Sequence, residues 1–127
     1  MLTEYDIKEF FISHRETIFE KQIWESRAYQ NAASGLEDKQ RVENLDLQIK
    51  MVDSMLDLLS ENEAFVIKRH LLNGLDWAQV AIEYKEKWGE EMEKSIRALQ
   101  IYQAKALQKI ARVANRRNVS LLDIKDY

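Results

Sequence analysis

The residues of this chain best suited to specific chemistry lie in its last third. Between positions 94 and 122 stand Lys94, Arg97, Lys105, Lys109, Arg112, Arg116 and Arg117, without a single Asp or Glu. The front of the chain is the reverse. Residues 1–93 carry twenty acids against eleven Lys and Arg, whereas residues 94–127 carry two acids against eight, so the net charge of −3 conceals a strong asymmetry. A one-signed segment creates a local positive potential whatever the global charge, and a polyanion is its natural complement. Arg pairs bidentately with guanine and Gln with adenine in the major groove. Arg97, Gln100 and Gln103 are therefore candidates for reading bases. Lys94, Lys105, Lys109, Arg112, Arg116 and Arg117 are better suited to phosphates, which fix register without reporting sequence. A blander explanation competes: basic residues also favour helix C-termini, and their excess here would offset the acidic front half.

Catalytic patterns are lacking. His14 and His70 are the two histidines, far apart in sequence and outside any HExxH arrangement. There is no P-loop, no GxGxxG and no cysteine to supply a thiolate or a disulfide. The acids have no spacing that selects a catalytic pair, and solvated helical faces account for them. The expectation is a protein that is not an enzyme and takes no cofactor or metal. The opening "MLTEYDIKEFF" places three acids where a signal peptide would carry basic charge, and no apolar run approaches membrane-spanning length. These features lead to the expectation of a cytoplasmic protein with no membrane partner.

The elements that must carry the basic segment follow from composition and period. With no Pro, three Gly, 46% hydrophobic and 32% charged residues, the 127-residue chain reads as all-α with one compact core. Thr3 followed by Glu4 and Asp6 predicts an N-cap and an acidic first turn, opening a helix that extends towards Ala33 or breaks near residues 13–15. Its apolar positions Ile7, Phe10, Phe11, Ile18, Ile23 and Trp24 are scattered around the helix. "NAASGLED", residues 31–38, is the expected break. In the next helix Val42, Leu45, Ile49, Val52, Leu56 and Leu59 recur at alternating three- and four-residue steps and share one face. That stripe packs either against the first helix as an antiparallel hairpin or across a homodimer as a short coiled coil. The hairpin is favoured, because two to three heptads are short for a zipper.

Ser60 and Glu63 form a capping-box pattern that opens a helix over 61–72, burying Phe65, Val66, Ile67 and Leu71. Asn73-Gly74 ends it, Gly74 being suited to a left-handed cap. Asp76, with Gln79 three residues on, opens the next helix, whose inward face is Trp77, Val80, Ala81 and Tyr84. Ser95 caps a long helix running to about Arg116, with Ile96, Leu99, Tyr102, Ala106, Leu107 and Ile110 facing the core. Short helices joined by a Gly turn, then a long basic helix, make a helix-turn-helix pattern whose last helix would enter a DNA groove.

"LSENEAFVIKRHLLNGLDWAQVAIEY", residues 59–84, followed by "SIRALQIYQAKALQKIA", residues 95–111, resembles region 4 of bacterial sigma factors. More closely, it resembles the small phage-encoded late transcription regulators of the ArpU and RinA group. The matching positions are Glu63 and Val66-Ile67, Leu72-Asn73-Gly74, Trp77 with Val80-Ala81, and Ala106-Leu107. The resemblance implies an N-terminal helical region over 1–59 for dimerisation or polymerase contact, a DNA-binding module over 60–117, and a tail over 118–127. It also implies an activator of late phage genes that binds duplex DNA and host RNA polymerase. Gly74, Asp76, Trp77, Val80, Ala81 and Leu107 would be scaffold, while Ser95, Arg97 and nearby polar residues would face DNA. The chain departs from the pattern at "KEKWGEEMEK", residues 85–94, which lengthens the link before the last helix. Trp88 and Gly89 would fold this insertion back, with Glu90, Glu91 and Glu93 directed away from phosphate. The rival reading is a non-catalytic helical adaptor or phage structural protein that does not touch DNA.

Overall fold

A computed structural model describes residues 1–30 and 35–117, and among these every regular element is helical. The expected tail at 118–127 and residues 31–34 of the break expected over 31–38 lie outside the described residues, while residues 35–38 already belong to a helix. Helix α1 spans Glu4–Ile12, and its start is the one the sequence predicts. Thr3 Oγ1 accepts the Asp6 N–H at 3.2 Å, and the Asp6 carboxylate accepts the Thr3 N–H at 2.9 Å. Helix α2, His14–Gln30, follows after a break at Ser13. There the Ser13 hydroxyl donates to the Phe10 carbonyl and Thr17 donates to the Ser13 carbonyl, local bonds of the kind that bend helices. The break separates α1, which lays Ile7, Phe10 and Phe11 into the core, from α2, which packs along α3.

Helix α3, Gly35–Asp57, runs along α2 in antiparallel sense: Lys21 meets Asp46 at 3.0 Å, and Arg27 meets Asp38 at 3.8 Å. Trp24 of α2 lies against two guanidiniums, Arg27 at 4.8 Å and Arg41 at 4.5 Å from the ring centre. Leu45 and Val52 of the regular stripe are buried, and Val42, Ile49, Leu56 and Leu59 are half-buried.

Helix α4, Glu61–Val66, starts with both halves of the Ser60/Glu63 capping box in place. It continues as a π-helical segment, Ile67–Leu72, whose wide turn closes with the Asn73 N–H donating to the Lys68 carbonyl at 2.9 Å. Phe65 and Val66 face one core and Ile67 and Leu71 another, so this short stretch serves both. Gly74 has φ 71°, the left-handed conformation expected of it, and Arg15 reaches across from α2 to donate to the Asn73 carbonyl at 2.5 Å. Helix α5, Trp77–Trp88, is capped by Asp76, which accepts the Gln79 N–H at 2.8 Å. A 3₁₀ turn, Glu90–Met92, precedes α6, Ile96–Arg116, which Ser95 caps through the Ala98 N–H at 3.1 Å.

The first core gathers Ile7, Phe10 and Phe11 from α1, Val52 and Met55 from α3, Ile67 and Leu71 from the π segment, and Ala106, Leu107, Ile110 and Ala111 from α6. It therefore crosses the boundary expected at residue 59. The second core joins Phe65 and Val66 to Val80, Tyr84 and Leu99, with Trp77, Ala81, Trp88 and Tyr102 around it. Leu2 and Asn115 close the ring: Leu2 N–H donates to Asn115 Oδ1 at 2.7 Å, and Asn115 Nδ2 returns a bond to the Leu2 carbonyl at 2.8 Å.

Candidate nucleic-acid interface

Helix α6 buries one side and presents the other. Leu99, Gln103, Ala106, Leu107, Ile110, Ala111 and Ala114 face inward. Arg97, Gln100, Ile101, Ala104, Lys105, Gln108, Arg112 and Arg116 are exposed. Their three- and four-residue spacing places them in one stripe along the helix. From Arg97 to Arg116 this stripe is about 28 Å long at the usual helical rise. It contains no acid, and none of its Arg or Lys side chains forms an ion pair with a described residue.

The structure sorts the candidates named from sequence. Arg97 and Gln100 lie near the N-terminal end of the stripe, with Lys105, Arg112, Arg116 and Arg117 exposed beyond them. Ser95 is exposed, but its hydroxyl is already engaged as the helix cap. Lys94 is half-buried in the approach to the helix. Two residues depart from the expected face. Gln103 is only 9% exposed because it continues the inward line from Leu99 at the helical period, and its Oε1 has no hydrogen-bond partner among the described residues. Lys109 turns to Glu63 of α4 at 2.7 Å and is held there as an internal ion pair. Ile96, expected in the core, is instead exposed beside Arg97. Ile101, Ala104 and Gln108 belong to the stripe although sequence reasoning did not single them out; their offsets of four, seven and eleven from Arg97 were the available signal.

Of the expected scaffold residues, Trp77, Val80 and Ala81 lie on α5 and Leu107 on α6. Val80 is fully buried, Ala81 packs beside it, and Leu107 fixes α6 on the first core. Trp77 stacks on His70 with ring centres 3.8 Å apart and planes 23° from parallel. His70 Nδ1 lies 2.8 Å from the Leu75 carbonyl; because a carbonyl only accepts, this nitrogen carries the proton. His14, half-buried, has its pKa lowered by burial, which outweighs the opposing influence of Asp53. Among the described residues no group of three His, Asp or Glu is placed to hold a metal ion, and no helix is long and apolar enough to cross a membrane.

The segment over residues 85–94 folds back on α5. Trp88 packs edge-on against Phe65 at 4.9 Å and lies 4.3 Å from Tyr84, giving the aromatic anchor. Burial raises the Tyr84 pKa, and its hydroxyl accepts a bond from Asn62 at 3.0 Å. Gly89, at φ 92°, reverses the chain. Glu90 and Glu93 then lie 3.9 and 4.0 Å from Lys85 of α5, so part of the acidic charge beside the start of α6 is partnered by α5.

Comparison of the chain with family models, with curated proteins and with solved structures gave no match.

Proposed function

We propose that this protein is a sequence-specific, duplex-DNA-binding transcription regulator in which α6 enters the major groove. The observation that carries this reading is the continuous, acid-free stripe from Arg97 to Arg116 on the exposed side of a helix whose opposite side is packed into both cores. In the sigma-region-4-like, helix-turn-helix reading, α5 is the supporting helix and α6 the reading helix. Arg97 and Gln100 meet base edges, and Lys105, Arg112, Arg116 and Arg117 meet phosphates. The resemblance to ArpU- and RinA-type proteins extends the proposal to activation of phage late genes together with host RNA polymerase. The role is non-catalytic and needs no cofactor.

A salt series of binding to duplex DNA tests the assignment. Arg97→Ala should lose discrimination between sequences. A Lys105/Arg112/Arg116 triple alanine variant should weaken binding to all duplexes and flatten the dependence of affinity on salt. Unchanged binding by both folded variants would sink the reading.

A second reading, a helical adaptor that binds protein and not DNA, is favoured by the outer faces of α2 and α3. Phe19 and Ile23 on α2, Leu47 on α3 and Leu58 just beyond its end are exposed. The face proposed for pairing with a second copy, Val42 to Leu59, is largely spent inside the chain, where Leu45 and Val52 are buried. A homodimer would therefore use these outer residues instead. Loss of polymerase or self-association on Phe19→Ser, with no duplex binding by the native chain, is the outcome that favours the adaptor.

A further inference from the structure

Ile101 is 45% exposed in the middle of the basic stripe. Single exposed apolar residues are common on protein surfaces, and Ile12 and Ile82 are others in this chain. What distinguishes Ile101 is its neighbourhood. Arg97 lies one helical turn before it and Lys105 one turn after, with Gln100 and Ala104 alongside, all exposed. Arg97 and Lys105 are separated by about 12 Å along the axis, comparable to the roughly 12 Å width of the major groove. With Arg97 on a base edge and Lys105, a groove's width away, on the phosphate wall, Ile101 is directed at the base edges between them.

An isoleucine side chain has no donor or acceptor. Against the polar edge of guanine, adenine or cytosine it would strip water from groups and give them no partner. Thymine alone offers a methyl group in the major groove. Ala104, with its single carbon, leaves room for the helix backbone to come close. Resting on the DNA-binding reading above, we propose that Ile101 selects thymine, burying its side chain against the 5-methyl group beside the base pair met by Arg97 or Gln100.

The full chain can be used to enrich duplexes from a randomised pool at fixed salt. The enriched duplex is then remade with deoxyuridine at each thymine in turn, which removes one methyl group and leaves the protein untouched. One such replacement is expected to weaken binding about fourfold, the effect of one buried methyl. Ile101→Ala, confirmed as folded by its helical circular dichroism, should bind the thymine duplex correspondingly less tightly and no longer distinguish it from the deoxyuridine form. Full affinity with deoxyuridine at every thymine overturns the role of Ile101 while leaving DNA reading intact. So does an alanine variant that keeps the same thymine preference, or one whose duplex affinities are all unchanged, as a protein-facing Ile101 would give. Enrichment of no sequence overturns the DNA reading itself.

Discussion

Lys109 Nζ on α6 lies 2.7 Å from Glu63 Oε1 on α4, and the same oxygen accepts the Ser60 backbone N–H at 3.0 Å. One carboxylate thus both completes the cap of α4 and ties that helix to α6. Burial by itself would raise the Glu63 pKa, but the bonds from Lys109 and Ser60 outweigh it and hold the group below its ordinary value of 4.5. A depressed folded-state pKa means that the associated stability is present above 4.5 and is lost as pH falls through the lower, folded-state value. Glu63→Gln removes this titration. Urea unfolding followed from pH 6 down to pH 3, as an order-of-magnitude acid window around the glutamate range, should show a shallower loss of stability in the variant than in the native chain. Parallel curves would show that Glu63 does not contribute.

The same ion pair separates Lys109 from its basic neighbours on α6. Lys109→Ala should cost about 1–3 kcal/mol of stability, because it leaves a mostly buried carboxylate without its partner. On the proposed DNA-binding role, it should leave the salt dependence of duplex binding unchanged. Arg112→Ala should do the opposite, with near-native stability and a salt slope reduced by about 1. Denaturant titrations and binding isotherms on the two variants give the comparison.

Gly74 tests the turn before α5. Its φ of 71° is unfavourable for an L side chain, although an added Cβ would meet nothing closer than Arg15 Nη1 at 3.9 Å. Gly74→Ala should therefore cost about 1–2 kcal/mol through backbone conformation alone. Thermal unfolding is the measurement. A neutral substitution would mean that the turn relaxes at no cost.

Asn115 tests the closure between the start of the chain and the end of α6. Asn115→Ala removes both bonds to the Leu2 backbone and should cost about 1–2 kcal/mol, with faster hydrogen exchange at the Leu2 amide. Asn115→Asp keeps an acceptor for that amide but loses the donor to the carbonyl. It should slow the exchange relative to the alanine variant.

The local starts and stops were legible in the sequence because each depends on a few adjacent residues. Thr3 with Asp6, Ser60 with Glu63, Asp76, Ser95 and Gly74 all act at the positions their types suggest. The basic face of α6 was legible in part, since charge marks solvent exposure. Gln103 shows the limit of reading polarity alone: its helical phase puts it in line with Leu99, and phase prevails over side-chain type. Lys109 depends on a glutamate 46 residues away, so no local pattern distinguishes it from Lys105. Ile67 and Leu71 of the π segment likewise pack in a core that residues distant in sequence supply.

The shared first core also limits how the chain can be divided. A fragment cut at Ser60 would retain α6 and its basic stripe but lose Ile7, Phe10, Phe11, Val52 and Met55, the side chains that cover Ile67, Leu71, Leu107 and Ile110. Helix α6 is therefore not a portable cassette. Transplanted alone, residues 60–117 would carry an open greasy flank and tend to self-associate, and a working graft would need α1 and the end of α3 as well.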